Sequence, residues 1–175
     1  MNEQITERLQ RLKSEIASVR QGVHRGRTKP HKPILLLTAM DLLARGDIAE
    51  NRIGFDEILT AQFERLFSVV KNDGDWCHPS EPYFHLRTSG FWFHKPRPGK
   101  EKVCAEMDTS GGGSKRILDV IEYAFFDPDS FSVLCDRSAR SEATRFVLET
   151  FFGAEDRRKL VPLLFDLECG QQSSC

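Results

Sequence analysis

The sequence predicts an α+β domain that is mainly helical, with a helix bundle around a central apolar helix and a small antiparallel sheet. Apolar residues recur at helical spacing over most of the chain, and residues 34–43 are apolar on nearly all sides. Short aromatic runs between residues 83 and 94 flank turn-forming residues, which is typical of short strands. An apolar content of 39% over 175 residues is enough for a sizeable core.

The N-terminal quarter predicts two helices joined by a polar loop. Apolar residues at helical spacing over residues 3–20 predict an amphipathic helix. Residues 21–32 are rich in glycine and basic residues, so we expect an exposed loop. A second, central helix is expected over residues 33–44, because proline fits the first turn of a helix and Gly46 would end it.

The next segments predict one extended piece and one helix. Residues 52–55 read as a short strand, and Asp56 is expected to cap a helix that runs to about residue 71. We expect one set of apolar residues on this helix to face the core: Ile58, Leu59, Phe63, Leu66, Phe67 and Val70.

The C-terminal half predicts a hairpin followed by helices. Residues 83–86 and 91–94 read as two strands around a turn at residues 87–90. Further helical segments are expected at residues 114–126, 129–134, 138–152 and 156–167. We divide the chain into an N-terminal helix and basic loop (1–26), a single domain (27–168) and a disordered tail (169–175).

Several classes of protein are excluded by the composition. The chain has no run of 18 apolar residues and no secretory signal at its start, so we expect no membrane contact and a cytoplasmic location. Its five cysteines form no Cys-x-x-Cys pair, which argues against a disulfide scaffold or zinc ribbon. Cys77, His78, His85 and His94 fit no standard zinc spacing, so we expect no metal and no cofactor.

Positive charge is concentrated in two acid-free runs although the net charge is only −1. Residues 16–40 carry five basic residues, and residues 82–100 carry four. Segregated charge of this kind can focus an anion onto one face of a protein. The first run ends at His31 and Lys32, directly before the apolar helix. Because a helix N-terminus presents free N–H groups and the positive end of its dipole, the sequence predicts a phosphate site there.

Three motifs resemble a known family. They are His-Lys-Pro-Ile-Leu-Leu-Leu at residues 31–37, Ile-Gly-Phe-Asp-Glu-Ile at residues 53–58, and Glu-Pro-Tyr-Phe-His-Leu-Arg-Thr-Ser-Gly-Phe-Trp at residues 81–92. Over about residues 27–155 the chain resembles the N-terminal DNA-recognition domain of bacterial HNH-type, modification-dependent restriction endonucleases. Several members of that group are sulfur-binding domains that recognise phosphorothioate DNA.

The resemblance implies a role for two groups of residues. His31 and Lys32 match the pair that contacts the modified backbone, and Pro82 matches the proline that lines a shallow apolar pocket for the sulfur. The chain departs from the family pattern in this pocket, because Glu81 stands where an aromatic residue is common and His85 where a small one is.

The expected partner is double-stranded DNA, including phosphorothioate-modified DNA, in a restriction or anti-phage setting with a fused or separate nuclease. We expect two sets of DNA contacts. The backbone set is His31, Lys32, Arg27, Lys29, Pro82, Tyr83, His85 and Arg87; the set for bases or grooves is Arg25, Lys95 and Arg97.

Two alternative functions remain open from the residues alone. A metal-dependent nuclease could use Asp73, Asp75 and Glu81 with Lys100 or Lys102. An HNH site needs further histidines, and none follows His94, so we expect a binding module without its own HNH segment.

The second alternative is an interaction subunit of a defence system. In that case Trp76, Phe91 and Trp92 would form an exposed partner surface, although aromatic residues are more often buried in the core.

Overall fold

The computed structural model describes residues 2–24 and 26–168, and it confirms a mainly helical α+β fold. Arg25 and the expected disordered tail at residues 169–175 lie outside the described residues. The helices are α1 (Glu3–Ala17), α2 (His31–Arg45), α3 (Glu57–Val70), α4 (Ser80–His85), α5 (Glu101–Glu106), α6 (Gly113–Val120), α7 (Pro128–Cys135), α8 (Arg137–Phe151), α9 (Ala154–Leu160) and α10 (Phe165–Glu168).

The strands form two small antiparallel sheets. They are β1 (Val23–His24), β2 (Arg27–Thr28), β3 (Trp92–Pro96) and β4 (Ile121–Phe126). β1 pairs with β2 inside the predicted basic loop, and all four of their residues are exposed. β3 pairs with β4 in a register that places Trp92 opposite Phe126.

Helix α2 is the central helix, as predicted. Every residue from Pro33 to Leu42 is buried, so this helix has no solvent-facing side along most of its length. It packs against α3, α4 and α8. The helix ends at Gly46, which has a φ of +82°, a left-handed conformation that glycine adopts without a steric penalty.

The helices on either side of α2 confirm most of the expected pattern. α1 buries Leu9, Leu12 and Ile16 against α7 and α8, so the N-terminal helix shares one core with the rest of the fold. The Asp56 side chain caps α3 by accepting a hydrogen bond from the Leu59 N–H at 2.9 Å. The expectation for Ile58 is wrong, because it lies beside the buried stripe of α3 and is 55% exposed.

The predicted hairpin over residues 83–94 is wrong. Residues 83–86 belong to α4 and the 3₁₀ turn Leu86–Thr88 that follows it, and Pro82 lies in the first turn of α4. Short apolar runs do not distinguish a strand from a buried helical segment, and proline in a first helical turn costs no hydrogen bond. β3 therefore pairs with a strand about thirty residues further along the chain, where the Ile53 backbone also bridges to Ala124.

Two predicted helices are interrupted. The expected helix at 114–126 ends at Val120 and continues as β4, whose β-branched and aromatic residues favour extended backbone. The expected helix at 156–167 divides into α9, a 3₁₀ turn and α10, because Pro162 lacks the N–H that an uninterrupted helix requires. No helix in residues 2–24 and 26–168 is long and apolar enough to cross a membrane.

The buried carboxylate of Asp41 joins α2 to α3 and α10. Asp41 accepts hydrogen bonds from Arg45 Nε at 2.6 Å, Gln62 Nε2 at 2.7 Å and the Phe165 N–H at 2.7 Å. These bonds join α2, α3 and α10 in one polar cluster. Because buried charges are tolerated only when they are hydrogen-bonded, this cluster holds the C-terminal segment against the core.

We expect Asp41→Ala to lower the free energy of unfolding by about 3 kcal/mol, because it removes a buried acceptor that the Phe165 N–H and two side chains share. Urea denaturation measures this change. Asp47→Ala, at an exposed position on the loop after α2, is the matched control and should change stability by less than about 0.5 kcal/mol. Equal stability of the two variants would contradict a structural role for Asp41.

Candidate nucleic-acid interface

The N-terminus of α2 is open to an anion. The helix begins at His31, its N-cap residue is Pro30, and no side chain among the described residues caps it. Its first turn contains no acidic residue. The free N–H groups and the positive end of the helix dipole are therefore unneutralised at this end.

His31 is buried at this end of the helix, with 7% of its surface exposed. Its Nε2 lies 2.8 Å from the Trp76 carbonyl oxygen, which only accepts, so Nε2 carries the hydrogen and donates it. The ring packs against Phe67 with 4.8 Å between centroids. Nδ1 is buried and has no partner among the described residues, so it remains able to bond to a ligand.

Lys32 lies beside His31 and is half-buried. Its ammonium group donates to the Arg20 carbonyl at 2.8 Å, which fixes the side chain and leaves two further donors. Desolvation by burial lowers the pKa of Lys32. A bound anion would reverse part of this shift, because a nearby negative charge favours the charged ammonium.

Three adjoining cavities surround this point, and together we call them the trough. The middle cavity, about 220 Å³, lies between Lys29 and Lys32 on one side and Pro82 on the other. The Ser89 cavity, about 430 Å³, shares Lys32 and His85 with it. The Trp76 cavity, about 270 Å³, shares Lys29, His31 and Glu81 with it.

The short helix α4 brings Pro82 to the middle cavity. α4 is anchored by Tyr83, which is fully buried and donates its hydroxyl hydrogen to the Ile53 carbonyl at 2.7 Å. The Tyr83 carbonyl accepts from Trp92 Nε1 at 3.0 Å and from His94 Nε2 at 2.9 Å. Tyr83 is thus a core residue that positions Pro82 and has no surface of its own to offer DNA.

Two polar side chains of α4 flank Pro82. Glu81 is exposed and His85 is half-buried, and both line the middle cavity. Desolvation lowers the pKa of His85, the positive charges of Lys32 and Arg87 lower it further, and Glu81 partly opposes them. The cavity therefore combines a proline ring with a carboxylate, two imidazoles and two ammonium groups.

Two of the basic residues that we expect to contact the DNA backbone, Lys29 and Lys32, line the trough. Lys29 and Lys32 line the middle cavity, and Arg27 is exposed on β2 of the neighbouring hairpin. Arg25, between the strands of that hairpin, is not described. The first basic run therefore meets the helix N-terminus in space as well as in sequence.

In the second basic run, residues 82–100, Arg87 and Arg97 donate hydrogen bonds to backbone carbonyls. The Arg87 guanidinium lies 4.2 Å from the Phe84 ring centroid and donates to the carbonyls of Cys104 and Met107, so it holds the end of α5. Arg97 donates from Nε to the Leu118 carbonyl at 2.6 Å. Lys95 is exposed on β3, and neither it nor Arg97 lines any of the three cavities.

The trough includes residues that the sequence alone did not identify as site residues. Arg20, Thr88 and Ser89 line the Ser89 cavity, and the buried Ser89 hydroxyl has no partner within the described part of the chain. His24 and Trp76 line the Trp76 cavity. Arg20 belongs to the basic run and could have been chosen from charge, but the hydroxyl pair sits in the segment predicted as a turn.

The largest described cavity, about 790 Å³, lies elsewhere, between α5 and α6. Its basic residues, Lys115 and Arg116, are outnumbered by Glu106, Asp108 and Asp119. A cavity without an excess of positive charge is a poor site for a polyanion, so the trough is the better candidate.

The structure does not favour either alternative function. Lys100 pairs with Asp119 at 3.2 Å and Lys102 with Glu106 at 3.8 Å, so both lysines of the proposed nuclease site are paired elsewhere. The described residues contain no cluster of three or more histidine, cysteine or carboxylate side chains that could hold a metal ion. Phe91 and Trp92 are fully buried, so the exposed aromatic surface reduces to Trp76.

Comparison with known proteins identifies the family. A model of the ScoMcrA-like DNA sulfur-binding domain matches residues 9–164. The match spans most of the sequence, and the chain therefore belongs to the ScoMcrA-like DNA sulfur-binding domain family, whose members are binding modules. No curated protein matches the chain.

A solved structure shares the fold. It is the sulfur-binding domain of SprMcrA complexed with phosphorothioated DNA, with a TM-score of 0.68 and 19% sequence identity. The alignment covers 94% of this chain and 96% of that one. The family assignment confirms the resemblance to sulfur-binding domains, whereas the association with an HNH nuclease stays a prediction.

His94, whose imidazole bonds to the Tyr83 carbonyl of α4, predicts that the stability of the fold depends on pH. Burial lowers the pKa of His94 to about 4, below the ordinary value of 6.5. The folded state thus prefers neutral His94, and this preference stabilises the fold above pH 6.5 and is lost as the pH falls towards 4. We expect the free energy of unfolding to fall by about 2 kcal/mol between pH 7 and pH 5 from this residue.

Urea denaturation at several pH values measures this loss. His94→Gln keeps an N–H for the Tyr83 carbonyl but does not titrate, so its stability should depend less on pH by the same amount. Other titrating groups cancel when the two proteins are compared. Identical pH profiles would show that His94 is not responsible.

Proposed function

We propose that this domain binds phosphorothioate-modified duplex DNA and holds the sulfur-bearing phosphate in the middle cavity of the trough. One observation carries the proposal. The uncapped N-terminus of α2, two lysines and the ring of a buried proline line the same cavity of about 220 Å³.

The charge of the modified phosphate is matched by the α2 end of the cavity. A phosphorothioate keeps the negative charge of a phosphate, so it needs cations and N–H donors. Lys29, Lys32 and the free N–H groups of α2 supply them. His31 Nδ1, which is buried and unpartnered among the described residues, is an acceptor when Nε2 carries the hydrogen, so it can meet the phosphate only through a shared donor such as a water molecule.

The sulfur is matched by Pro82. Sulfur is larger, softer and less strongly hydrated than oxygen, so an apolar surface stabilises it relative to oxygen. Pro82 is buried and presents its ring to the cavity without adding a donor. Glu81 repels an anion in the same place, but the surrounding positive groups outnumber it, and His85 adds to them when it is protonated.

The Ser89 cavity supports contact with a second phosphate of the same strand. It continues from the middle cavity through Lys32 and His85, and it adds Arg20 together with the hydroxyls of Thr88 and Ser89. Serine, threonine and arginine side chains are common phosphate contacts in DNA-binding proteins. Arg27 on the β1–β2 hairpin, Lys95 on β3 and Arg97 directly after β3 remain candidates for the grooves, together with Arg25.

We further propose that the domain itself carries no HNH module. It would read modified DNA in the cytoplasm and deliver it to a nuclease, fused or separate, in a restriction system. The family assignment supports the reading step, since members are DNA sulfur-binding domains.

Replacing both anchor residues with glutamine, His31→Gln with Lys32→Gln, should weaken binding to a phosphorothioate duplex at least tenfold, because a cation and an imidazole are removed. The slope of log affinity against log salt should fall by about one. Fluorescence polarisation with a labelled duplex measures both. Lys102→Gln, at an exposed position on α5 that lines none of the three cavities, is the control and should bind as the parent does. Unchanged binding by the double variant, with normal thermal stability, would remove the proposed site.

Pro82→Ala should reduce the preference for sulfur about fivefold, because part of the apolar surface facing the sulfur is lost, at roughly 1 kcal/mol. Affinity for the ordinary duplex should change little. Competition between two duplexes that differ by a single sulfur gives the preference directly. Pro98→Ala, at an exposed proline after β3, should leave the preference intact; the proposal for Pro82 fails if both variants discriminate equally.

A further inference from the structure

The loop at residues 72–79 places one large apolar side chain in solvent. Trp76 is 74% exposed, whereas the chain's other tryptophan, Trp92, is fully buried. The Trp76 indole lies nearly parallel to the His78 ring, with an interplanar angle of 8° and 6.4 Å between centroids. The Trp76 indole therefore offers a flat aromatic surface against which a ligand can pack.

The position of Trp76 is coupled to the phosphate site. His31, in the first turn of α2, donates from Nε2 to the Trp76 carbonyl oxygen at 2.8 Å. Within the loop, Asp75 Oδ2 accepts from the Asn72 N–H at 3.0 Å, which closes the turn before Trp76. His31, which lines the middle cavity, therefore fixes the backbone of Trp76 next to that cavity.

The Trp76 cavity has a different chemistry from the middle cavity. It contains two carboxylates, Asp75 and Glu81, together with Lys29 and the two aromatic rings. In the part of the chain that is described, Glu81 is in no ion pair. Carboxylates repel a second phosphate but accept hydrogen bonds from amines. The cavity suits a nucleoside better than a backbone phosphate.

We propose that the Trp76 cavity reads the base pair next to the held phosphate. Trp76 packs against the nucleoside, and Glu81 accepts a hydrogen bond from an exocyclic amine at the base edge. A carboxylate selects the N4 amine of cytosine in the major groove, so cytosine is the preferred base. This inference rests on the proposed function, because it requires a phosphate in the middle cavity.

The fluorescence of Trp76 tests the first half of the proposal, the packing of its indole against the nucleoside. A saturating phosphorothioate duplex should protect Trp76 fluorescence from acrylamide and change its emission. In Trp76→Phe the remaining signal comes from buried Trp92 and should not respond. If polarisation shows that DNA is bound while acrylamide quenching of Trp76 stays the same, this inference is overturned and the proposed function stands.

Glu81→Gln tests the second half. Four duplexes that differ only at the base pair flanking the modified linkage, on each side in turn, give the base preference of each protein. The parent should favour cytosine at one position by roughly tenfold. Glu81→Gln should lose most of that preference and bind all four duplexes more tightly, because it removes a negative charge from the lining of the middle cavity.

The control for Glu81→Gln is Glu122→Gln, at an exposed carboxylate on β4, which should keep the preference of the parent. A Glu81→Gln variant that discriminates as the parent does overturns the base-reading role. If no protein in the series binds any duplex, the proposed function fails first and this inference fails with it.

Discussion

The burial of α2 is the constraint on which the rest of the structure depends. A helix whose residues from Pro33 to Leu42 are all buried must be enclosed by other elements, and α3, α4 and α8 enclose it. Only its ends reach the surface. One end is closed by Gly46 and by the Asp41 cluster, while the other keeps its free N–H groups. The enclosure of the helix therefore exposes its positive end at one point, beside the basic loop.

The trough combines positively charged, apolar and negatively charged groups in adjoining cavities. Positive charge comes from the helix terminus and two lysines, apolar surface comes from Pro82, and negative charge comes from Glu81 at the boundary with the Trp76 cavity. Because the Glu81 carboxylate lines two cavities of different chemistry, we expect it to oppose an anion in one and to accept an amine in the other. The motif resemblance implies that Glu81 and His85 depart from the family pattern, so they are the positions at which we expect the selectivity of this domain to differ.

Local stability and the site are linked through α4. This six-residue helix has no side-chain cap and little stability of its own. It is held by bonds at Tyr83: the hydroxyl donates to Ile53, and the carbonyl accepts from Trp92 and His94. The position of Pro82 thus depends on a core of aromatic rings and on a neutral imidazole, and the site is only as rigid as that core.

The sequence by itself determined the helical class, the central helix with its basic entrance, and the caps at Asp56 and Gly46. These features follow from periodicity and from backbone chemistry that acts within a few residues. The family motifs likewise led from the sequence to His31, Lys32 and Pro82. Only the tertiary structure decided that β3 pairs with β4, that Tyr83 is buried, that Arg87 and Lys100 are occupied elsewhere, and that Trp76 stands beside His31. Each of these depends on contacts between segments that are distant in the sequence. The residue type at one position does not specify which distant segment will bury that side chain or pair with its charge.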